Sequence, residues 1–331
     1  MMIPLRRRHV RTRSIAATAG VLLALTATAC GGTQAAPAAS ENGLTTVRLG
    51  NVQLSDYAAV LLGVDQGIFE RNGLNIELVD ITPADLVGGL LSGQVDMNPN
   101  TGPGAVMAAG KGIPLAVVGG VSTFAAGPDG RTGSTLLVKA DSPIRTAADL
   151  QGKTVGVNLL ASASEYGVRG VVDQAGGDGS GVSIIEVPFS AMGESLTADR
   201  IDAALVGDPF ASLLLKTGQF EAPMGDPIEE VFGPAPRVVV TGTREYVETN
   251  PEVVDKFQAA LDESVEYADS HPDDMRAAMV EHFGTPADTV GDTGYPALES
   301  RVDAAGIDGI ATILRANGAL DSSADVSGLT R

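Results

Sequence analysis

Residues 60–98 alternate between helical and strand patterns, and glycines mark the turns between them. The run VLLGVDQGIFERNGLNIELVDI, followed by TPADLVGGLLSGQVDMN, predicts a helix ending near Asp65, a strand over 74–81, a helix over 83–91 and a strand beginning at Val95. Strands joined through helices by short turns are typical of a parallel sheet that helices cover. This stretch therefore predicts an α/β protein.

The same alternation continues on both sides of this stretch. A strand is predicted over 46–53, before a helix over 57–65 that Ser55 or Asp56 can cap, and the apolar run LAVVGGV at 115–121 predicts a buried parallel strand. Further strands and helices are predicted in STLLVKADSPI, TVGVN, SASEYGVRGVVDQAG, SIIEVPF and AALVGDPF, and then a return strand in RVVVTGT. A chain of 331 residues with two such series suits two lobes better than one core.

Four segments carry a resemblance that is more specific than the periodicity. They are QGIF at 66–69, NGLNIE at 72–77, LLSGQVD at 90–96, and the pattern L-V-x-x-D-S-P-I-x-x-x-x-D-L-x-G-K-x-V-G-V at 137–157. The residues of these segments resemble those of the substrate-binding proteins of nitrate-, sulfonate- and taurine-type ABC importers. This family also includes proteins that bind pyrimidine precursors. The resemblance implies a two-lobed, type II periplasmic-binding-protein-like fold, in which each lobe is a doubly wound, mostly parallel sheet.

Chain order and this resemblance divide the sequence into consecutive parts. The expected parts are a lipoprotein signal peptide at 1–29, a flexible tether at 30–44, lobe one at 45–125 and again at 237–331, and lobe two at 126–236. The chain would then cross between the lobes twice, and closure would be a hinge motion about the two crossovers.

The predicted signal has an arginine-rich start, an apolar stretch over 15–25 and small residues before Cys30. The apolar stretch is too short and too rich in alanine and threonine for a membrane-spanning helix. The small residues that end in a cysteine resemble a lipobox, which implies lipidation of Cys30 after cleavage, although Ala27 stands where leucine is usual. The alternative is a plain secretory signal with an incidental cysteine.

The charge balance argues against two kinds of partner. The chain has a net charge of −19, and removal of the five signal arginines would bring it to about −24. Such an acidic protein is not expected to bind nucleic acid or to dock electrostatically on anionic lipid. Because Cys30 is the only cysteine, no disulfide can form within the chain.

In an open parallel sheet, ligands bind at the carboxyl ends of the strands, where helix N-termini present free N–H groups. The candidate ligand-binding residues at the predicted strand ends are Gln53, Ser55, Tyr57, Asn100, Thr101, Thr123, Phe124, Asn158, Ser162, Ser164, Phe189 and Asp208. Aromatic rings among scattered hydroxyls and amides describe a small-molecule pocket. Tyr166 and Phe210 add two more rings beside these ends. The alternative for each ring is that it packs on the core.

The resemblance also bears on the charge of the ligand. It implies that Asn158, Ser162 and Ser164 contact an anionic head group, whereas a helix N-cap is the alternative role for either serine. Asp208 stands where the family has an acidic residue before proline, so it would contact a ligand amine or ring nitrogen, or hydrogen-bond the backbone of lobe two. No arginine falls at the predicted strand ends, which argues against a doubly charged anion.

The sequence offers no catalytic or metal-binding set. His9 lies in the signal, His271 and His282 lie in C-terminal helices, and neither has a cysteine partner for zinc. No nucleophile, histidine and acid can be assembled into a triad, and no cofactor is predicted.

We therefore expect a receptor and not an enzyme. It would be a monomer held by its lipid to the outer face of the cell membrane, delivering a small organic solute to the transmembrane permease subunits of an ABC importer. A fold-sharing enzyme of menaquinone or pyrimidine biosynthesis is one alternative, and a ligand-sensing lobe without a permease is another.

Overall fold

The computed structural model describes residues 43–52, 54–82 and 85–330. The predicted signal peptide, Cys30, most of the tether and Gln53 lie outside the described residues. Within the described ranges, none of the helices combines the length and the apolar character that crossing a membrane requires.

The strands of the described residues alternate with helices along most of the chain. The strands are β1 (Thr45–Asn51), β2 (Leu74–Asp80), β3 (Met97–Thr101), β4 (Leu115–Ala126), β5 (Ser134–Lys139), β6 (Thr154–Val157), β7 (Ser183–Glu186), β8 (Ala203–Gly207), β9 (Phe220–Glu221), β10 (Pro236–Thr243) and β11 (Pro296–Leu298). The α-helices are α1 (Ala58–Asp65), α2 (Ile68–Arg71), α3 (Leu86–Leu91), α4 (Gly102–Gly110), α5 (Ala163–Gln174), α6 (Phe189–Thr197), α7 (Phe210–Lys216), α8 (Pro227–Phe232), α9 (Arg244–Thr249), α10 (Pro251–Ser270), α11 (Pro272–Phe283) and α12 (Ala304–Ala316).

The strands form two separate sheets. One has the order β11-β4-β10-β3-β1-β2 and the other has the order β7-β6-β8-β5-β9. We call the first sheet with α1–α4 and α9–α12 lobe 1, and the second sheet with α5–α8 lobe 2. In lobe 1, β1 to β4 run in one direction and β10 and β11 run against them; in lobe 2, β5 alone opposes the other described strands. The predicted α/β class with mostly parallel sheets is confirmed.

One detail of the strand prediction is wrong. β4 is buried, as its apolar sequence predicts, but its hydrogen-bonded neighbours are both antiparallel to it. The cause is β10, which returns from lobe 2 and inserts between β3 and β4. Two strands that run in the same direction are thus separated by one that runs against them.

The helices of lobe 1 bury their apolar faces on the two sides of the sheet. On one side α10 packs against α1 and α2, and the ring centroid of Phe257 in α10 lies 5.3 Å from that of Phe69 in α2. On the other side α4 and α12 contribute to a core that continues through Phe124 and Phe232 into lobe 2. The two lobes therefore share buried apolar surface at the crossovers.

The predicted cap of α1 is also wrong. Neither Ser55 nor Asp56 caps this helix; the N-cap position is Tyr57, and it makes no side-chain cap bond. Residues 55–57 form a turn of 3-10 helix instead, and this turn places the Asp56 carboxylate in the interior.

The contact between α1 and α10 provides a test of this packing. A methyl group at Gly63 would lie 1.9 Å from Oγ and 2.5 Å from Cβ of the fully buried Ser264. We expect Gly63→Ala to lower the free energy of unfolding by about 1–3 kcal/mol in urea denaturation, because overpacking a core forces its neighbours apart.

Gly88 in α3 is the matched control, because no atom lies within 4 Å of the methyl group that alanine would add there. Gly88→Ala should leave stability unchanged or raise it by about 0.5–1 kcal/mol, the helix preference of alanine over glycine. Equal losses in the two variants would contradict the packing described here.

Candidate functional site

At the carboxyl ends of their strands, the two lobes form hydrogen bonds to each other. Asp208, directly after β8, accepts a hydrogen bond from the backbone N–H of Gly294, just before β11. Glu229 of α8 accepts one from the backbone N–H of Ala126 at the end of β4. In α/β sheets this edge is where ligands bind. The edge between the lobes is therefore the candidate site.

On lobe 1, Asn100 and Thr101 lie over the N-terminus of α4. The Thr101 hydroxyl oxygen accepts a hydrogen bond of 3.0 Å from the backbone N–H of Gly104, and Asn100 is largely buried beside it. A side chain at Gly104 would come within 2.8 Å of Asn100 Oδ1. The glycine thus leaves room for both polar side chains at the positive end of the helix dipole, where acceptors are favoured.

Two of the predicted pocket aromatics belong to the core instead. Tyr57 is fully buried, its hydroxyl donates to the carbonyl of Gly50, and burial raises its pKa above the usual value. Phe124 is 3% exposed and lies 5.1 Å, between ring centroids, from Phe232. Both rings pack against the apolar faces of helices. Their location near a strand end therefore does not expose them to solvent. The core alternative holds for these two residues.

Ser55 and Thr123 are half-buried at the same edge of lobe 1. The Thr123 hydroxyl oxygen accepts a hydrogen bond of 3.3 Å from the backbone N–H of Ala125. Ser55 lies near Gly133 of the first crossover, since a methyl group on that glycine would be 3.6 Å from Ser55 Oγ. Both hydroxyls are therefore at the boundary between the lobes.

On lobe 2, the loop after β6 satisfies its own polar groups. The Ser164 hydroxyl donates to Asn158 Oδ1 at 3.1 Å, and the Ser162 hydroxyl donates to the carbonyl of Leu159 at 2.6 Å. Ser162 occupies the N-cap position of α5 but makes no side-chain cap bond. The loop backbone donates to two carboxylates, from Leu160 to Glu186 and from Ala161 to Glu165. Ser164 and Asn158 are thus brought together, Ser162 bonds within the loop, and Asn158 is exposed at the surface.

Phe189 and Phe210 form an aromatic pair after β7 and β8, the strands on either side of β6 in lobe 2. Their ring centroids are 5.9 Å apart, and Phe210 is 38% exposed. The backbone of Gly207 lies beneath the Phe189 ring, because a methyl group there would be 3.0 Å from it. This pair is an accessible aromatic surface at the edge, in contrast to Tyr57 and Phe124.

Asp208 makes one contact that the sequence predicted as an alternative and others that it did not indicate. Its Oδ1 accepts from the backbone N–H and the hydroxyl of Ser212, at 3.0 and 2.7 Å, and its Oδ2 accepts from Gly294 at 2.8 Å. One of the expected alternatives, bonding to the backbone of lobe 2, is present, but the bond to lobe 1 is additional. Asp208 joins the two lobes.

An arginine does lie at this edge, although none was predicted there. Arg237 is the second residue of β10, and because β10 is antiparallel to β3 and β4 its first residues lie among the carboxyl ends of these neighbours. Its Nε is 3.3 Å from Oδ2 of the fully buried Asp56, and its Nη1 donates to the carbonyl of Thr132 at 3.1 Å. Asp56 also accepts a hydrogen bond from Ser122. The direction of the return strand was the signal that could have revealed this residue.

A second buried carboxylate lies at the other crossover. Asp226 caps α8 by accepting from the backbone N–H of Ile228 at 2.9 Å, and it accepts from the Ser134 hydroxyl. Desolvation raises the pKa of Asp226 above its usual value, against the opposing effects of Ser134 and Arg237. The two crossovers between the lobes are therefore held by buried polar contacts.

A cavity of about 700 Å³ lies beside these crossovers. Its wall includes Thr132, Ser134, Asp226 and Asp208, and of the residues of lobe 1 that the structure describes it includes only Asp292. Of the predicted ligand-binding residues within the described ranges, only Asp208 lines it. A solute held by both lobes requires surfaces from both, so the strand ends are the better candidate and the cavity flanks them. Across the described ranges, no group of three or more His, Cys, Asp or Glu side chains could hold a metal ion.

Comparison with known protein families shows which family this chain belongs to. Residues 55–275 match the family model described as NMT1/THI5 like. The chain belongs to this family. A curated Haemophilus influenzae protein, whose name assigns it provisionally to thiamine biosynthesis, is 25% identical over 235 residues, which cover 69% of each chain.

Solved structures show the same fold as this NMT1/THI5-like chain. The alkanesulfonate-binding protein SsuA from Xanthomonas axonopodis pv. citri, bound to MOPS, has a TM-score of 0.72 at 19% identity and covers 90% of this chain and 99% of its own. The periplasmic nitrate-binding protein NrtA from Synechocystis has a TM-score of 0.67 at 17% identity, covering 87% and 86%. The desulfurization enzyme DSZB has a TM-score of 0.62 at 15% identity, covering 86% and 96%. The predicted family and two-lobed fold are confirmed.

The Arg237 contact at the crossover gives a second testable prediction. Arg237→Met should lower the free energy of unfolding by about 3–5 kcal/mol, because it leaves the buried Asp56 carboxylate without its cation. Urea denaturation at neutral pH measures the loss. The control is Arg200→Met, since Arg200 and its partner Glu194 are exposed by 56% and 77% and such pairs contribute little. If both variants unfold at the same urea concentration as the wild type, the contact does not stabilise the crossover.

Proposed function

We propose that this protein is the extracytoplasmic receptor of an ABC importer, and that its two lobes close on a small organic solute. The observation that carries the proposal is the polar and aromatic edge shared by the lobes, in a chain of the NMT1/THI5-like family. Asn100 and Thr101 contribute from lobe 1, and Asn158, Phe189 and Phe210 contribute from lobe 2. The solute classes proposed are a sulfonate, a taurine-like amine or a pyrimidine precursor.

The proposed location follows from the N-terminal sequence. Cleavage before Cys30 and lipidation of its thiol would hold the domain on the outer face of the membrane, within reach of the permease subunits. The periplasmic location named for NrtA, and the ABC-type import system named for a Staphylococcus aureus structural relative, support this placement. We propose that the receptor works there as a monomer.

The enzyme alternative is supported by the fold of DSZB and by the name of the Haemophilus influenzae relative. The positions of the two described histidines do not favour an enzyme with a catalytic histidine at the strand ends. His282 lies 2.7 Å from Asp65 Oδ2, at the C-terminal end of α1, and His271 Nδ1 contacts the carbonyl of Tyr267. The end of a helix that follows a strand lies at the opposite edge of the sheet from the carboxyl ends. A binding protein is therefore the better assignment.

The first prediction from this proposal concerns the solute. A melting screen with taurine, MOPS, nitrate and an aminopyrimidine should show stabilisation by at least one organic member. Asn100→Ala and Phe189→Ala should then weaken binding of that compound about 5- to 100-fold, the effect of an unpaired polar group or a lost ring contact.

Asn317→Ala is the control, because Asn317 ends α12 and its amide donates to the carbonyl of Ile313. Calorimetry should give wild-type affinity for this variant, and melting without solute should identify any variant that has lost its fold. A response to nitrate alone, with none to the organic compounds, would contradict the proposed solute classes.

The second prediction concerns the anchor. Cys30→Ser should move the protein from the membrane fraction to the soluble extracytoplasmic fraction, because a lipid chain alone would retain it. Fractionation followed by immunodetection measures the distribution. The circular dichroism of the variant should match that of the released wild-type domain. Unchanged retention of the variant in the membrane would refute lipidation at this residue.

A further inference from the structure

One side of the turn and helix after β8 contacts lobe 1. Asp208, Ser212 and Lys216 recur at every fourth residue, which places them on the same side of the helical path. All three contact residues 288–294, the segment between α11 and β11 in lobe 1. Asp208 accepts from the backbone of Gly294 at 2.8 Å. Ser212 Oγ lies 2.8 Å from the carbonyl oxygen of Asp292, so its one proton is shared between that oxygen and Asp208 Oδ1.

Lys216 extends this set of contacts. Its ammonium donates to the carbonyl of Asp288 at 3.0 Å and lies 2.7 Å from Asp292 Oδ2, an interaction that lowers the pKa of that carboxyl below its usual value. Both side chains of this ion pair are about half exposed, at 43% and 52%. Screening makes such a pair weak. The contact therefore depends mainly on the hydrogen bonds of Asp208 and Ser212, together with the one that Arg131 Nη1 donates to the carbonyl of Asp292.

Lobe 1 holds its side of the contact in place. Thr289, Thr293 and Tyr295 are buried at 2%, 1% and 2% exposure, and the backbone N–H of Thr289 donates to the carbonyl of Pro286. The segment is thus anchored in lobe 1 before it reaches lobe 2. A rigid partner lets a few hydrogen bonds fix the relative position of two bodies at a small cost in entropy.

The two lobes approach closely at Gly294. A methyl group on this residue would lie 2.6 Å from Cβ of Arg131 and 3.2 Å from Asp208 Oδ2. Gly291 lies three residues earlier in the same segment, and no atom is within 4 Å of the methyl group alanine would add there. Neither glycine has a positive φ. Alanine is therefore free of backbone strain at both positions, and only at Gly294 does it push against lobe 2.

We propose that Asp208 and Ser212, with Gly294 and Asp292 opposite them, form a latch that holds the two lobes together in the absence of solute. The latch lies on one flank of the edge and involves neither Asn100 nor the Phe189–Phe210 pair. It acts as a positioning device, since these residues set the spacing of the solute-binding surfaces without supplying them. The role in spacing the solute-binding surfaces rests on the proposed receptor function, whereas the latch itself does not.

The test compares Gly294→Ala with Gly291→Ala in the purified full chain without added solute. Hydrogen exchange of peptides that contain residue 294 reports the hydrogen bond to Asp208, and small-angle scattering reports the radius of gyration. We expect exchange about tenfold faster and a larger radius for Gly294→Ala, because the added methyl group opens the contact. Gly291→Ala should match the wild type in both measurements.

Ser212→Ala is a second variant, which removes only a hydroxyl group. Circular dichroism is used to check that each variant is folded. Its exchange should be faster than that of the wild type, with a smaller change than for Gly294→Ala. Wild-type exchange and radius in both Gly294→Ala and Ser212→Ala would overturn the latch, as would equal changes in Gly291→Ala. If no compound in the solute screen binds while these variants open, the receptor proposal fails and the latch stands.

Discussion

The return of β10 between β3 and β4 is the constraint on which the rest of the structure depends. Its antiparallel direction brings Arg237 to the carboxyl edge of lobe 1, among strands that run the other way. There the guanidinium lies against the buried Asp56 carboxylate and the carbonyl of Thr132. A buried carboxylate is costly unless it is paired, so this contact ties the crossover to the core of lobe 1.

The chemistry at the edge differs between the two lobes. Lobe 1 offers polar side chains over the N-terminus of α4, with Asn100 beside the capping Thr101. Lobe 2 offers the accessible rings of Phe189 and Phe210 and a loop in which Ser164 donates to the side chain of Asn158. A polar surface on one lobe and an aromatic surface on the other suit the proposed organic solute, which would have a polar head and a planar or apolar part.

The fold alone does not separate receptors from enzymes in this group. SsuA and NrtA, named as binding proteins, and DSZB, named as an enzyme, have TM-scores with this chain between 0.62 and 0.72. The distinction depends on the residues at the edge. His282 is bonded to Asp65 at the far end of α1, so its imidazole is not placed for acid–base chemistry at the strand ends.

The sequence by itself determined the series of strands and helices, the family and the two lobes, because hydrophobic periodicity and local motifs are properties of adjacent residues. It also located the strand ends that carry Asn100, Asn158 and Phe189. The tertiary structure decided which side chains there are accessible. Tyr57 and Phe189 both follow strands, yet helix packing buries the first and leaves the second at the edge. It also decided that Arg237 and Gly294, distant in sequence from the strand-end motifs, meet Asp56 and Asp208, because such pairings depend on strand direction and on contacts between lobes.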